Sequence, residues 1–318
     1  CLFIIIGLSL FKFSPDYYQY SPLIKSSPNQ YDFTRIEPGF WLIVYINDLL
    51  FNKNEYTFFI IIETIIITLF AIGVSKYSEY KILSFIVFLF LFYPNLGIIQ
   101  IRQGIAAGLF FISIEYLKNK QFIKYFICVI FASFFHISAI VLIPLYFIDN
   151  KKINKIILIL TPLVGLLLYK FIITFNTMNS FAQILPGMIG MKLKEYLVLL
   201  LIQGESNPIN RINPINLLSF TLLILFVMLI FFSKRLNEYE IICIKLLAIS
   251  LLCWFSFINI PVLSFRLTNY FNLSIIILFP SLNKFFKQKQ LAGILIIIFV
   301  FLLSFNVYIF HKSFNILD

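Results

Sequence analysis

Long apolar runs separated by short basic connections dominate the chain. Six runs stand out, at 58–74, 82–99, 156–175, 217–232, 241–260 and 291–310. Each approaches the roughly 20 apolar residues that a helix needs to cross a bilayer. The pattern is neither the period-2 alternation of a half-buried strand nor the narrow stripe of a surface helix, so it predicts an all-α, polytopic membrane protein. The opening run, 2–11, is too short to span. It reads as the rear half of a first transmembrane helix or as the apolar part of a signal peptide, although no small-residue cleavage site follows it.

The connections carry the charge. Lys and Arg collect at Lys76 and Lys81, at Lys118, Lys120 and Lys124, at Lys151, Lys152 and Lys155, at Lys234 and Arg235, and at Lys284, Lys287 and Lys289. The positive-inside rule makes all of these cytoplasmic. The path then follows: 58–74 runs inward, 82–99 outward and 101–117 inward. The run 122–148 has lysines at both ends, so it is expected to form a hairpin of two short helices, 122–135 and 137–148, with His136 at the turn; protein-buried broken helices permit this. Beyond it, 156–175 goes out, 215–232 returns, 241–260 goes out, 267–282 returns and 291–310 ends outside. The expected count is 11 membrane segments in one domain over 1–318, with two external loops at 12–57 and 176–214.

Composition supports this reading. Of the 318 residues 61% are hydrophobic and only 12% charged, where soluble domains carry about 25% charged residues. The net charge of +11 resides in the cytoplasmic loops and implies no nucleic-acid partner. Cys1, Cys128, Cys243 and Cys253 fall in apolar segments without metal-like spacing and read as packing residues. No Gly-rich phosphate loop and no Asp-x-Asp pair is present, so no cofactor or metal is expected.

The remaining chemistry falls on one side. Arg102 with Gln103, His136, Arg211 and Arg266 emerge externally, and the first external segment adds Asp16-Tyr17-Tyr18-Gln19-Tyr20 and Arg35-Ile36-Glu37-Pro38-Gly39-Phe40. Ionisable groups at hydrocarbon depth are costly and ask for a function. Arginines suit a bidentate hold on phosphate or pyrophosphate, and the Tyr- and Asn-rich external segments suit sugars. Each residue also has a plainer reading. Arg102 serves equally as an interfacial anchor, His136 as the cap of a broken helix, Glu37 as a turn former before Pro38-Gly39, and Asp16 as a solvated loop residue. Tyr270 lies one turn beyond Arg266. Glu63 and Glu115, inside apolar runs, read as partners within the bundle. The segment 188–202 reads as an interfacial helix.

The stretch RQGIAAGLFFISIEYLKNKQFIKYF from Arg102, followed by FFHISAIVLIPLYF around His136 and Pro144, resembles the EpsG-like branch of the Wzy-type bacterial polysaccharide polymerases. The Asp16–Tyr20 element, the Glu37–Phe40 element and the Arg266-x-x-x-Tyr270 element resemble further features of that family, in the family's order. The resemblance implies a membrane glycosyltransferase with a GT-C-like architecture. It would join oligosaccharide repeat units carried on undecaprenyl pyrophosphate at the outer face of the cytoplasmic membrane, in company with a flippase and a chain-length regulator. Arg102, Gln103, Arg266, Tyr270, Arg211 and Arg35 would bind pyrophosphate or glycan, and His136, Glu37 and Asp16 would serve catalysis. An O-antigen-ligase-like transferase, a membrane O-acetyltransferase and a flippase for lipid-linked oligosaccharides are the competing readings.

Overall fold

Amide capping explains where the apolar helices begin. Asn54 accepts the backbone N–H groups of Tyr56 and Thr57 at the start of a helix over Glu55–Tyr77. Asn154, Asn216 and Asn237 do the same for Lys155–Phe171, Leu217–Phe231 and Glu238–Ser256. A short polar side chain at this position satisfies donors that the helix leaves open.

The computed structural model describes residues 17–148, 153–203 and 213–313, which are helical with no strand. In chain order the α-helices are α1 (Tyr17–Lys25), α2 (Pro38–Phe51), α3 (Glu55–Tyr77), α4 (Lys81–Leu91), α5 (Ile101–Lys118), α6 (Phe122–Ser133), α7 (Lys155–Phe171), α8 (Phe175–Ile184), α9 (Gly187–Gln203), α10 (Leu217–Phe231), α11 (Glu238–Ser256), α12 (Pro261–Phe271), α13 (Ile275–Ser281) and α14 (Lys289–Ser313). A π-turn over Pro94–Ile99 leads into α5, and a 3-10 limb over Ile137–Phe147 follows α6. Among the described residues three helices are long and apolar enough to cross a membrane, Glu55–Tyr77, Glu238–Ser256 and Pro261–Phe285. The pair α7 and α8, bent by 90°, makes a fourth if it is one span. The shorter apolar helices include α2, α4, α6 and α10. The chain is thus a multi-pass membrane protein. The opening run 2–11 lies outside the described residues.

The chain forms two compact units, one of Cys1–Tyr146 with Ile297–Asp318 and one of Phe147–Ile296. In the first, α3, α4 and α5 meet at an aromatic stack, with Phe70 and Phe88 rings 4.2 Å apart and Phe70 and Phe111 5.4 Å apart. All three side chains are fully buried. In the second, α11 is the central element. Its Trp254 donates to the Pro214 carbonyl at 2.9 Å, its Ser250 to Asn272 at 2.6 Å, and Lys284 closes on its Glu240 at 2.9 Å.

The structure differs from the sequence expectation in the two external segments. The region 12–57 is not an open loop: it holds α1 and the apolar α2. Pro38 stands at the first helical position, where its missing N–H costs nothing, and so starts a helix rather than a turn. The segment 176–214 carries the helix expected over 188–202, as α9, and in addition α8, the two packed through Met178, Ala182, Leu193 and Leu197.

The hairpin expected around His136 is present. Tyr125 donates to the Leu142 carbonyl at 2.5 Å, Tyr146 donates to the Lys120 carbonyl at 2.8 Å, and the Phe122 and Tyr146 rings lie 4.9 Å apart. These contacts pair the start of one limb with the end of the other. With the native cysteines replaced, Phe122→Cys and Tyr146→Cys should be joined by a short bismaleimide in membranes, seen as protection of both thiols; failure to cross-link in a stably inserted protein would refute the hairpin.

Candidate functional site

Four segments of the first unit converge on one carboxylate. Glu37 caps α2 and is 1% exposed. One of its oxygens pairs with Arg102 Nη1 at 2.5 Å and the other accepts the backbone N–H of Ile137 at 3.2 Å. The adjoining Gly39 N–H donates to the Phe134 carbonyl at 2.7 Å. Glu37 and its neighbour therefore grip the break between α6 and the 3-10 limb from both sides. A Cβ at Gly39 would lie 2.7 Å from the Phe134 carbonyl oxygen, so this approach requires glycine.

Arg102 stands in the first turn of α5. Its Nε donates to the Tyr20 hydroxyl at 3.4 Å, and the guanidinium carbon lies 5.9 Å from the centroids of both the Tyr20 and Phe40 rings. The two rings are 5.4 Å apart. The guanidinium is thus oriented by one carboxylate and two aromatic rings, and the rest of its planar fork is free of Glu37. Its side chain keeps 22% exposure, enough to meet a ligand through the edge not used by Glu37 and Tyr20. Gln103, beside it, is buried. His136 sits at the hairpin break, 3% exposed, with Nδ1 2.6 Å from the Ser138 hydroxyl.

The other expected residues are placed as follows. Arg35 is exposed, with Asp32 3.8 Å away; Asp32 is itself held below the ordinary carboxylate range chiefly by the hydrogen bonds from Thr34. Arg266 belongs to the second unit, in the second turn of α12, its guanidinium 5.6 Å from the Tyr196 ring of α9. Tyr270 is fully buried. Asp16 and Arg211 lie outside the described residues. The structure therefore brings Glu37, Arg102 and the His136 turn together. Sequence reasoning named all three without seeing that Glu37 and Arg102 are partners, nor that Tyr20 and Phe40 enclose the guanidinium. Scarcity of charge was the available signal, because a lone ion in an apolar bundle needs a counter-ion.

The site thus joins an aromatic-walled arginine, a buried carboxylate and the hairpin break that carries His136. The EpsG family model matches residues 1–317, so the chain belongs to the EpsG family, a family of Wzy-like polysaccharide polymerases. No curated protein and no solved structure matches it.

The ion pair has a measurable consequence. Glu37→Ala and Arg102→Ala should each lower stability, and the double variant should lose less than their sum, with a coupling on the order of 1 to 3 kcal/mol. A double-mutant cycle on unfolding of the reconstituted protein reads this directly; additive losses would show that the pair contributes nothing.

Proposed function

We propose that this protein polymerises oligosaccharide repeat units carried on undecaprenyl pyrophosphate, at the outer face of the cytoplasmic membrane of a bacterium. The observation that carries this reading is the Arg102 guanidinium, fixed by Glu37, Tyr20 and Phe40 and partly exposed, in a chain of a polymerase family. In this reading the 11 membrane segments and the GT-C-like architecture hold, and the segments at 12–57 and 176–214 face outward. A flippase supplies the substrate and a chain-length regulator sets product size.

Glu37 already balances the charge of Arg102. A pyrophosphate entering the site therefore brings negative charge that further cations must meet, and Arg35 of the same unit is assigned to it; Arg211 and Arg266 are assigned to substrate as further bidentate donors. Gln103 and Tyr270 support the helices that carry these arginines. Glu37 acts as a positioning residue, since both of its oxygens are engaged. His136, its ring oriented by Ser138, takes the proton of the acceptor hydroxyl once substrate parts the turn at 134–138, and Asp16 assists the acceptor. The hydroxyl oxygen attacks the anomeric carbon of the growing chain. The bond from that carbon to the pyrophosphate oxygen breaks, and the lipid pyrophosphate leaves with the bonding pair. Placement and charge stabilisation do most of the work in such a transfer.

Arg102→Lys should impair polymer formation nearly as much as Arg102→Ala, because lysine keeps the charge and loses the fork. Mass analysis of lipid-linked glycans made by the reconstituted protein should show single repeat units accumulating in both variants. Long chains from Arg102→Ala at normal protein level would remove Arg102 from the mechanism. A ligase would instead leave polymer on the lipid carrier when absent, and a flippase would leave repeat units trapped inside.

The sidedness is tested separately. Single cysteines at 120 and 287 should resist an impermeant thiol reagent in intact cells, and one at 35 should react. The reverse pattern would invert the topology and with it the outer-face assignment.

A further inference from the structure

Glu63 is the buried carboxyl that the proposed chemistry does not use. It lies within the α3 span, 1% exposed, and among the described residues neither of its oxygens has a hydrogen-bond partner. The Tyr93 side chain, 5% exposed, interacts with it. The cations on the elements packed around α3 are engaged elsewhere: Lys25 with Glu55, Lys53 with Asp48, Lys76 with Glu115 and Arg102 with Glu37. Lys81 and Lys118 stand at helix ends. Of the tyrosines, Tyr17 bonds Glu55, Tyr20 faces Arg102 and Tyr77 donates to the Ile112 carbonyl; Tyr45 and Tyr56 are exposed. A bare carboxylate without a counter-ion is too costly at this depth, whereas a protonated one asks only for a modest polar neighbour.

Tyr93 caps the π-turn Pro94–Ile99, and that turn delivers the chain into α5 one residue before Arg102. The turn is wedged in place. A Cβ at Gly97 would lie 2.5 Å from the Tyr93 ring, and one at Gly104 would lie 1.9 Å from the Leu96 carbonyl oxygen and 2.9 Å from Ile66 of α3. Ile66 is on the same face of α3 as Glu63. One continuous set of contacts thus runs from Glu63 through Tyr93 and the π-turn to the start of α5. Single-turn π segments recur where a helix must aim a functional side chain.

We propose that Glu63 is a positioning residue for Arg102: a neutral carboxylic acid that meets Tyr93 and fixes the π-turn from which the Arg102 helix starts. The proposal rests on the reading of Arg102 as the substrate-binding arginine. Glutamine reproduces the neutral acid in shape and polarity, so Glu63→Gln should keep transfer activity near wild type. Glu63→Ala and Tyr93→Phe should cost roughly tenfold to a hundredfold, as expected for a misplaced binding group. Raising the pH should reversibly slow the wild type more than Glu63→Gln.

An activity-independent measurement separates this proposal from the polymerase reading. If the folded protein keeps Glu63 protonated while the unfolded chain ionises it, the folded state binds the extra proton, and the stability it provides is lost as pH rises. The unfolding temperature of the full-length protein in lipid nanodiscs, wild type minus Glu63→Gln, should therefore fall steadily from acid to alkaline pH. A flat or rising difference would overturn the neutral acid, whatever the protein's activity. A falling difference with full transfer activity in both Glu63→Ala and Tyr93→Phe would overturn the positioning role.

Discussion

Everything near the candidate site depends on one ion pair that neither partner can leave. Glu37 is sealed from solvent while Arg102 keeps 22% exposure, and a buried carboxylate stripped of its partner is far more costly than the pair. The pair therefore acts as a constraint on geometry more than as a source of stability. It fixes the start of α2 relative to the start of α5, and through the Ile137 N–H it fixes the hairpin break as well. The dipole of α2 adds to this, because its positive end lies at the capping carboxylate. The same logic recurs in the second unit, where the buried Glu240 meets Lys284.

The outward surface obeys the opposite rule. Along α7 the side chains of Ile156, Leu160, Leu163 and Leu167 stand exposed, as do Leu217, Phe220 and Ile224 on α10. In water such faces would aggregate; in lipid they need no cover. Helix association then relies on close packing and small residues rather than on apolar burial. Gly165 of α7 illustrates it, since a Cβ there would lie 2.8 Å from the Leu252 carbonyl oxygen of α11.

Much of this was legible in the chain. Spans 58–74 and 241–260 lie within the observed α3 and α11 apart from their ends, because uninterrupted apolar length is a strong signal. The hairpin was legible for a different reason: lysines at both ends of 122–148 leave no other path. The helices inside 12–57, and α8, were missed because each is short and polar residues flank it, so composition resembled a loop, whereas α9 answers the helix expected over 188–202. Tyr20, Glu37 and Arg102 were each visible as unusual residues, yet their pairing spans 65 and 82 residues of sequence. No local periodicity encodes a contact of that range. Glu63 is the reverse case, conspicuous in sequence as a charge in a span, and intelligible only once its lack of a hydrogen-bond partner and its neighbour Tyr93 are seen.

The uneven construction of the hairpin bears on the lipid around it. Its first limb is 12 residues of α-helix and its second 11 residues of 3-10 helix, which extend to about 18 Å and 22 Å at about 1.5 Å and 2.0 Å per residue. The higher rise per residue of the second limb more than offsets its smaller residue number, making it the longer by about 4 Å. Neither length reaches across a hydrocarbon layer about 30 Å thick. Such short limbs are tolerated at membrane depth where protein surrounds the break, as Glu37 and Gly39 do here. Protein packed around the break, with His136 only 3% exposed, takes the place that a full crossing would give to lipid.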